Sequence, residues 1–192
     1  MVHELRGRAD CVIVGANTVR ADDPTLTCRL TAPRRRASRL VVCGRKGIPE
    51  DCKLVRTAGD LPVLIAHPKE APPDNSGVLQ DMGCELVAIP GAESRVALDA
   101  LLDRLGTMDM TNVLVEGGGD LLGGLFDADL VDRALAFVAP RVAGGERAVT
   151  PVGGHGVDTI AAARVLRNWD WRRVGEDLLM EGWLSDPLAW AD

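Results

Sequence analysis

No apolar run in this chain of 192 residues approaches the roughly 20 residues that a membrane-spanning helix needs. The opening Met1-Val2-His3-Glu4-Leu5-Arg6 has no basic-then-apolar signal pattern, so the reading is a cytoplasmic chain. An excess of positive charge is missing too. The net charge of -6 argues against nucleic acid and anionic membranes as partners, and Arg34-Arg35-Arg36, just after Pro33, reads as a solvated loop. The five cysteines are odd in number and contain no C-x-x-C pair, which argues against a disulfide framework and a zinc site. Cys11 and Cys43 lie in apolar runs and read as small core residues. The three histidines, His3, His67 and His155, stand far apart, and His67 reads as a surface residue. No metal site is expected.

What is present is a globular composition, 46% hydrophobic, at a length that suits one domain over residues 1–192. There is no internal repeat and no linker; the Pro/Gly-rich segments are loop-sized. Residues 2–8 read as a helix end anchored by Leu5. Cys11-Val12-Ile13-Val14 is a continuous apolar run, which suits a strand buried on both faces, and Gly15 ends it. Asn17 to Asp22 predicts a short helical turn. Asp23 precedes Pro24 and is expected to be extended, with Thr25 to Arg29 continuing so. Further strands are predicted at Arg39–Cys43, Pro62–Ala66 and Glu85–Ile89, with Gly44 to Asp60 largely irregular and a short helix from Ser76 to Met82. Ser94 is a candidate N-cap for a helix bearing Leu98, Leu101, Leu102 and Leu105 on one face, with Gly106 just past its end. After Asp132–Ala139, another strand, and a glycine-rich loop from Pro140 to Gly156, the end reads as a hairpin: Arg164–Arg172, a turn near Gly175-Glu176, then Asp177–Leu184. The fold class is α/β, a mostly parallel sheet with antiparallel pairing at the C-terminal end.

The stretch with the most chemistry is Asn112-Val113-Leu114-Val115-Glu116-Gly117-Gly118-Gly119-Asp120, followed by Leu121, Leu122, Leu125 and Phe126 at helical spacing. An apolar strand stops at a carboxylate, turns through glycine and enters a helix. Glycine lets the turn take φ > 0 and lets a ligand approach bare backbone, and N–H groups at a helix start attract phosphate oxygens. Gly123 and Gly124 inside the helix each cost roughly 1 kcal/mol against alanine, which makes sense where a ligand or another backbone comes close. In open parallel sheets ligands sit outside the carboxyl ends of strands. A second such end, Gly15 to Arg29, offers Thr18, Asp22 and Arg29. A hydroxyl and a carboxylate suit ribose hydroxyls, and an arginine fork suits a phosphate.

LRGRADCVIVGANTVRADDPTLTCR followed by VLVEGGGDLLGGLFDADLVDRALAFVAPRVAGG resembles the reductase domain of bacterial riboflavin biosynthesis proteins, from about Leu5 to Leu184. The T-V-x-A-D-D-P-x-L-T-x-R and V-E-G-G-x strings, in that order, are together specific. The resemblance implies a three-layer dihydrofolate-reductase-like fold. It implies reduction of 5-amino-6-(5-phosphoribosylamino)uracil to the ribitylamino compound, a hydride passing from NADPH to C1′ of the opened ribose. Carried over by motif, Thr18 and Asp22 contact NADP, and Gly118, Gly119, Asp120, Leu121, Leu122, Gly123 and Gly124 wrap its phosphates. Arg6, Leu26 and Arg29 hold the substrate, the arginines at or near its 5-phosphate, and Glu116 hydrogen-bonds it. Asp22 and Glu116 are the nearest candidates for catalytic groups. The family commonly forms homodimers, and Trp169, Trp171 and Trp183 give the terminal hairpin apolar surface for that contact.

Bland readings stand beside these: Asp22 as a turn cap, Arg6 as an exposed helix residue, Leu26 as core, Glu116 held by neighbouring N–H groups, and Arg45 and Lys46 as a solvated loop. The family's serine near Gly44 is replaced by Cys43-Gly44, so that contact is not carried over. The family also has, before the segment matching His3-Glu4-Leu5-Arg6, a further strand and a loop that touch both ligands. Without them, unpaired backbone groups and weak NADP binding are expected. The H-x-E and P-C-x-x-C motifs of the zinc deaminase domain often fused to this reductase do not occur. Two alternatives remain open: an oxidoreductase of the same fold with another small substrate, and a non-catalytic remnant.

Overall fold

Apolar runs with no polar alternation need cover on both faces, and the computed structural model supplies it for strand after strand. It describes residues 1–186 except 93, 94, 146, 147 and 149. In chain order the elements are α1 (Val2–Arg6), β1 (Cys11–Gly15), α2 (Ala16–Asp22), β2 (Ser38–Val42), α3 (Lys53–Arg56), β3 (Val63–Pro68), α4 (Ser76–Asp81) and β4 (Glu85–Ile89). A small hairpin of β5 (Gly91–Ala92) and β6 (Arg95–Val96) leads to α5 (Leu98–Gly106), β7 (Val113–Gly117), α6 (Gly119–Asp127) and β8 (Arg133–Val138). After a 3₁₀ turn at Ile160–Ala162 come β9 (Arg167–Val174) and β10 (Asp177–Trp183).

Five strands form a parallel sheet in the order β4-β3-β2-β1-β7. Successive side chains of β1 point to opposite faces. Val12 and Val14 join Val19 of α2, Leu54 and Val55 of α3 and Leu79 of α4 in one core. Cys11 and Ile13 join Leu101 and Leu105 of α5 and Leu121 and Leu125 of α6 in the other. Helix, sheet and helix make the three layers. The α5 stripe explains its own docking: Leu98, Leu101, Leu102 and Leu105 share one face, and Leu101 and Leu105 are fully buried. Cutting Leu105 to alanine would cost about 2–5 kcal/mol.

The second sheet is antiparallel, in the order β8-β10-β9. It is the C-terminal hairpin with β8 added alongside. β7 and β8 are joined through α6 but do not pair with each other. Among the described residues, β7 pairs with β1 along one edge only. All five β7 residues are half-buried, whereas the first four of β1 are fully buried.

Four local expectations are corrected. Asp23 is not extended: it is left-handed, at φ 42° and ψ 57°, because its carboxylate caps another helix. The extended reading of Thr25 to Arg29 breaks at Leu26, with φ 54°. His67 is buried, 5% exposed, with Nδ1 2.9 Å from the Pro68 carbonyl, because β3 is covered along its whole length. The helix α5 contains Gly106 as its last residue, and Ala97 takes the N-cap position; Ser94 lies outside the described residues. The stretch 44–60 is irregular apart from the single turn of α3.

Candidate active site

The carboxyl ends of β1 and β7 are neighbours, because these two strands pair in parallel at one side of the sheet. Their register shifts once: Ile13 faces Val115 and Val14 faces Gly117, so Glu116 is the extra residue of a β-bulge. A bulge re-aims a side chain out of the regular alternation. Here it turns the carboxylate towards α1. Arg6 Nε and Nη2 each donate to Glu116, to Oε1 and Oε2, both at 2.6 Å. The two side chains are 13% and 15% exposed, so the pair is little screened by water. Arg6 Nη1 also donates to the Thr27 carbonyl at 3.0 Å. One guanidinium thus ties α1, the tip of β7 and the loop after α2.

The glycine turn lies against the other tip. Gly118 has φ 97° and ψ 103°, and a Cβ placed on it would stand 3.3 Å from Thr18 Oγ1 and 3.6 Å from the Gly15 nitrogen. Thr18 therefore lies against the Gly118 turn. The first intrahelical bond of α6 runs from Leu122 N to Gly118 O. The amides of Gly119, Asp120 and Leu121 precede it, and these are the donors a helix start offers an anion.

The rest of the glycine stretch serves the chain's own packing. A Cβ on Gly119 would meet the Thr150 carbonyl at 2.9 Å, and one on Gly123 would meet Gly153 and Gly154 backbone at 2.2–2.5 Å. Gly153 N donates to Gly119 O at 2.9 Å. Residues 150–156 form a strap along this stripe of α6. Asp127, one turn further, takes the His155 amide at 2.7 Å, the Gly156 amide at 3.1 Å and His155 Nδ1 at 3.1 Å. These backbone donors hold the Asp127 carboxyl below its ordinary range. A Cβ on Gly124 would lie 3.0 Å from Leu98 Cδ1, so that glycine lets α6 pack on α5. Leu121 is buried in the core, Leu122 is half-buried and Asp120 is exposed.

The remaining sequence candidates divide. Asp22 and Arg29 are exposed and, among the described residues, make no side-chain hydrogen bond or ion pair. They are free for a ligand. Leu26 is 2% exposed and packs with Val12, Val14 and Val19, so its side chain belongs to the core. Arg45 lies 3.9 Å from Asp74 on an open loop. Burial pushes the Cys11 thiol up to about 12 and those of Cys43 and Cys84 to about 11, which removes them as thiolate nucleophiles near neutrality. Among the described residues, no group of three His, Cys, Asp or Glu side chains is placed to hold a metal ion, and no helix is long and apolar enough to cross a membrane. Three features had not been read from the sequence: the bulge at Glu116, the strap and its Asp127 latch, and the Asp23 cap. Only the paired glycines at 123 and 124 had signalled one of them, as a close approach of another backbone.

Comparison with known proteins gives the family and the fold. The model of the family described as the RibD C-terminal domain matches residues 1–180. The riboflavin biosynthesis protein RibD of Actinobacillus pleuropneumoniae is 32% identical over 190 residues, covering 97% of this chain and 49% of that protein. The 2,5-diamino-6-ribosylamino-4(3H)-pyrimidinone 5′-phosphate reductase of Methanothermobacter thermautotrophicus is 35% identical over 182 residues, covering 94% and 82%. Among solved structures, RibD of Acinetobacter baumannii superposes with a TM-score of 0.77 at 20% identity, over 96% of this chain and 49% of that one. A yeast riboflavin biosynthesis reductase gives 0.74 at 18%, over 95% and 78%. At such identity the structures bear on the fold, which is dihydrofolate-reductase-like. The chain spans about half the length of the RibD proteins it matches. On the family match and the closeness to the pyrimidine reductase, the chain belongs to the RibD C-terminal domain family.

Proposed function

We propose that this chain is a nicotinamide-dependent reductase of the riboflavin pathway, taking NADPH and 5-amino-6-(5-phosphoribosylamino)uracil. The observation that carries the reading is the meeting of Thr18 with Gly118 beside the Arg6–Glu116 pair. The relatives named as pyrimidine reductases support it. NADPH fits the residues present. Gly118 leaves the turn bare of side chain, three helix-start amides precede the first α6 bond, and Thr18 and the unpaired Asp22 stand on the facing tip. The cofactor would supply the hydride for C1′ of the opened ribose. The protein's part is alignment and charge. Glu116, fixed by two bonds to Arg6, keeps lone pairs free to orient a substrate donor.

The pair also reassigns the phosphate contact. Arg6 spends its fork on Glu116 and Thr27, so Arg29 is the arginine left to grip a 5-phosphate. Arg29→Ala should raise KM for the phosphorylated substrate by about tenfold to a hundredfold, the loss of one charge-assisted contact worth about 1.5–3 kcal/mol. The assay follows NADPH absorbance with substrate varied. Unchanged KM in Arg29→Ala would remove Arg29 as the phosphate contact and take away the main support for a phosphorylated substrate over another small one. The single-edged pairing of β7 favours a second reading, in which NADPH binds weakly. Titration followed by nicotinamide fluorescence decides it; tight binding overturns weak binding.

A further inference from the structure

The loop from Asp23 to Leu30, which carries Arg29 and follows Asp22, has no helix or strand of its own. Its shape is held from outside, by side chains reaching in or out at Asp23 and from Thr25 to Cys28. Asp23 Oδ1 accepts the Lys53 amide at 2.7 Å, capping the start of α3, and Lys53 Nζ returns to the Asp23 carbonyl at 3.1 Å. The Thr25 carbonyl accepts from Arg39 Nη1 at 3.5 Å. Leu26 plugs the core. The Thr27 carbonyl accepts from Arg6, and Cys28 Sγ donates to the His3 carbonyl at 3.0 Å.

Arg39 is the unusual member. It is 0% exposed, makes no close ion pair among the described residues, feels the Asp60 carboxylate through space, and leaves Nε without an acceptor. Its other contacts are Thr57 Oγ1 at 2.7 Å, the Thr57 carbonyl at 2.8 Å and the Leu61 carbonyl. Thr57 is the C-cap of α3. A buried guanidinium with no carboxylate in direct contact is costly, and an apolar residue of similar size would fill the space more cheaply. What it provides is connection: the far end of α3 joined to the loop. The one-turn helix α3 is thus clamped to the loop at its start through Asp23 and at its end through Arg39.

The clamp works against the backbone. Asp23 and Leu26 both have φ in the left-handed region, at 42° and 54°, which non-glycine residues rarely adopt. For leucine this is an outlier, and such conformations persist only where the surroundings over-determine them. Released, the loop would relax and carry Asp22 and Arg29 with it. We propose that Asp23 and Arg39 are positioning residues: through α3 they hold the loop in this strained form and so fix the placement of Arg29 against a phosphorylated substrate. The proposal rests on the reductase reading for its ligand, but the clamp itself can be tested apart from activity.

The test compares Asp23→Ala with Asp23→Asn, since asparagine keeps both the capping oxygen and tolerance of the left-handed region. Arg39→Met is the companion variant. Two readouts are taken on the intact chain: steady-state kinetics with NADPH and the phosphoribosylamino substrate, and the rate of iodoacetamide labelling at Cys28, located by mass spectrometry. Cys28 is the one half-buried thiol, the other four being buried, so its labelling reports the loop. Asp23→Ala should label about tenfold faster at Cys28 and raise KM about tenfold with kcat changed much less; Asp23→Asn should restore both. Arg39→Met should match Asp23→Ala, and should it fail to fold, the Asp23 pair still decides. Cys28 labelling that is unchanged in Asp23→Ala overturns the clamp. Faster labelling with unchanged KM overturns the link to substrate. An unmodified chain that turns over nothing, with labelling as expected, removes the reductase reading and leaves the clamp standing.

Discussion

The two strand tips that meet at the site are built in opposite ways. After β1, the loop from Asp23 to Leu30 is held by side chains: a carboxylate cap, two arginines, a thiol and a leucine plug. After β7, the start of α6 is held by backbone lying on backbone, where Gly119 and Gly123 admit the strap of residues 150–156. The first construction leaves charged groups, Asp22 and Arg29, free at the surface. The second leaves a bare turn with helix amides. A dinucleotide and a phosphorylated sugar ask for these two kinds of surface, bare amides on one side and charge on the other. The comparison teaches that one strand tip can be held in place through many separate side-chain bonds and its neighbour through the absence of side chains.

The largest effect should come from the contact that joins the walls. Glu116→Ala leaves Arg6 little exposed and without its counter-charge, and removing one partner of a buried pair costs about 3–5 kcal/mol. The expected result in urea denaturation is a lower midpoint with unchanged slope, and the loop at Thr27 loosens because Arg6 no longer has a fixed place. A loss well under 1 kcal/mol would mean the pair is solvated and the walls are independent.

A smaller loss is expected on the glycine wall. Gly123→Ala puts a Cβ within 2.2–2.5 Å of Gly153 and Gly154 backbone, which has no flexible end to give way. Overpacking of this kind costs about 1–3 kcal/mol, against roughly 1 kcal/mol gained in helix propensity. The net should be destabilising, and protease cleavage within residues 150–156 should speed up as the strap lifts. Gly106→Ala, in a helix end where a Cβ meets nothing within 4 Å, is the control and should be neutral or stabilising. If Gly123→Ala also stabilised, the strap would not press on α6.

Much of the frame was legible because its physics is local. The run Cys11–Val14 has one buried solution, and the leucines of α5 have one face. The parallel sheet, the α6 turn and the terminal hairpin followed from such patterns. The site was legible as two motifs but not as a network. Nothing local to Glu116 says that it bulges, because the bulge arises from its register against β1. Asp23 misled for the same reason: the proline after it argues for extended backbone, while Lys53, thirty residues on, supplies the amide that its carboxylate caps. Leu26 was open between core and contact, and burial puts its side chain in the core. Long-range partners chose among conformations that the local sequence left available.

The smallest expected effect isolates the latch that closes the strap. Asp127 accepts the amides of His155 and Gly156, and those bonds depress its carboxyl from the ordinary value of 3.8. A carboxyl with a depressed folded value contributes stability that is fully present above 3.8 and is lost as pH falls through the depressed value. The strap should therefore hold at neutral pH and loosen only in strong acid. The measurement is amide NMR of His155 and Gly156 from about pH 6 down to about pH 2, with both resonances moving together below 3.8. In Asp127→Asn the amide oxygen still accepts a bond but cannot titrate in this range, so the two resonances should stay still. Movement of both resonances in the asparagine variant would assign the acid response to another titrating group and leave the strap held by its backbone contacts to Gly119 and Gly123.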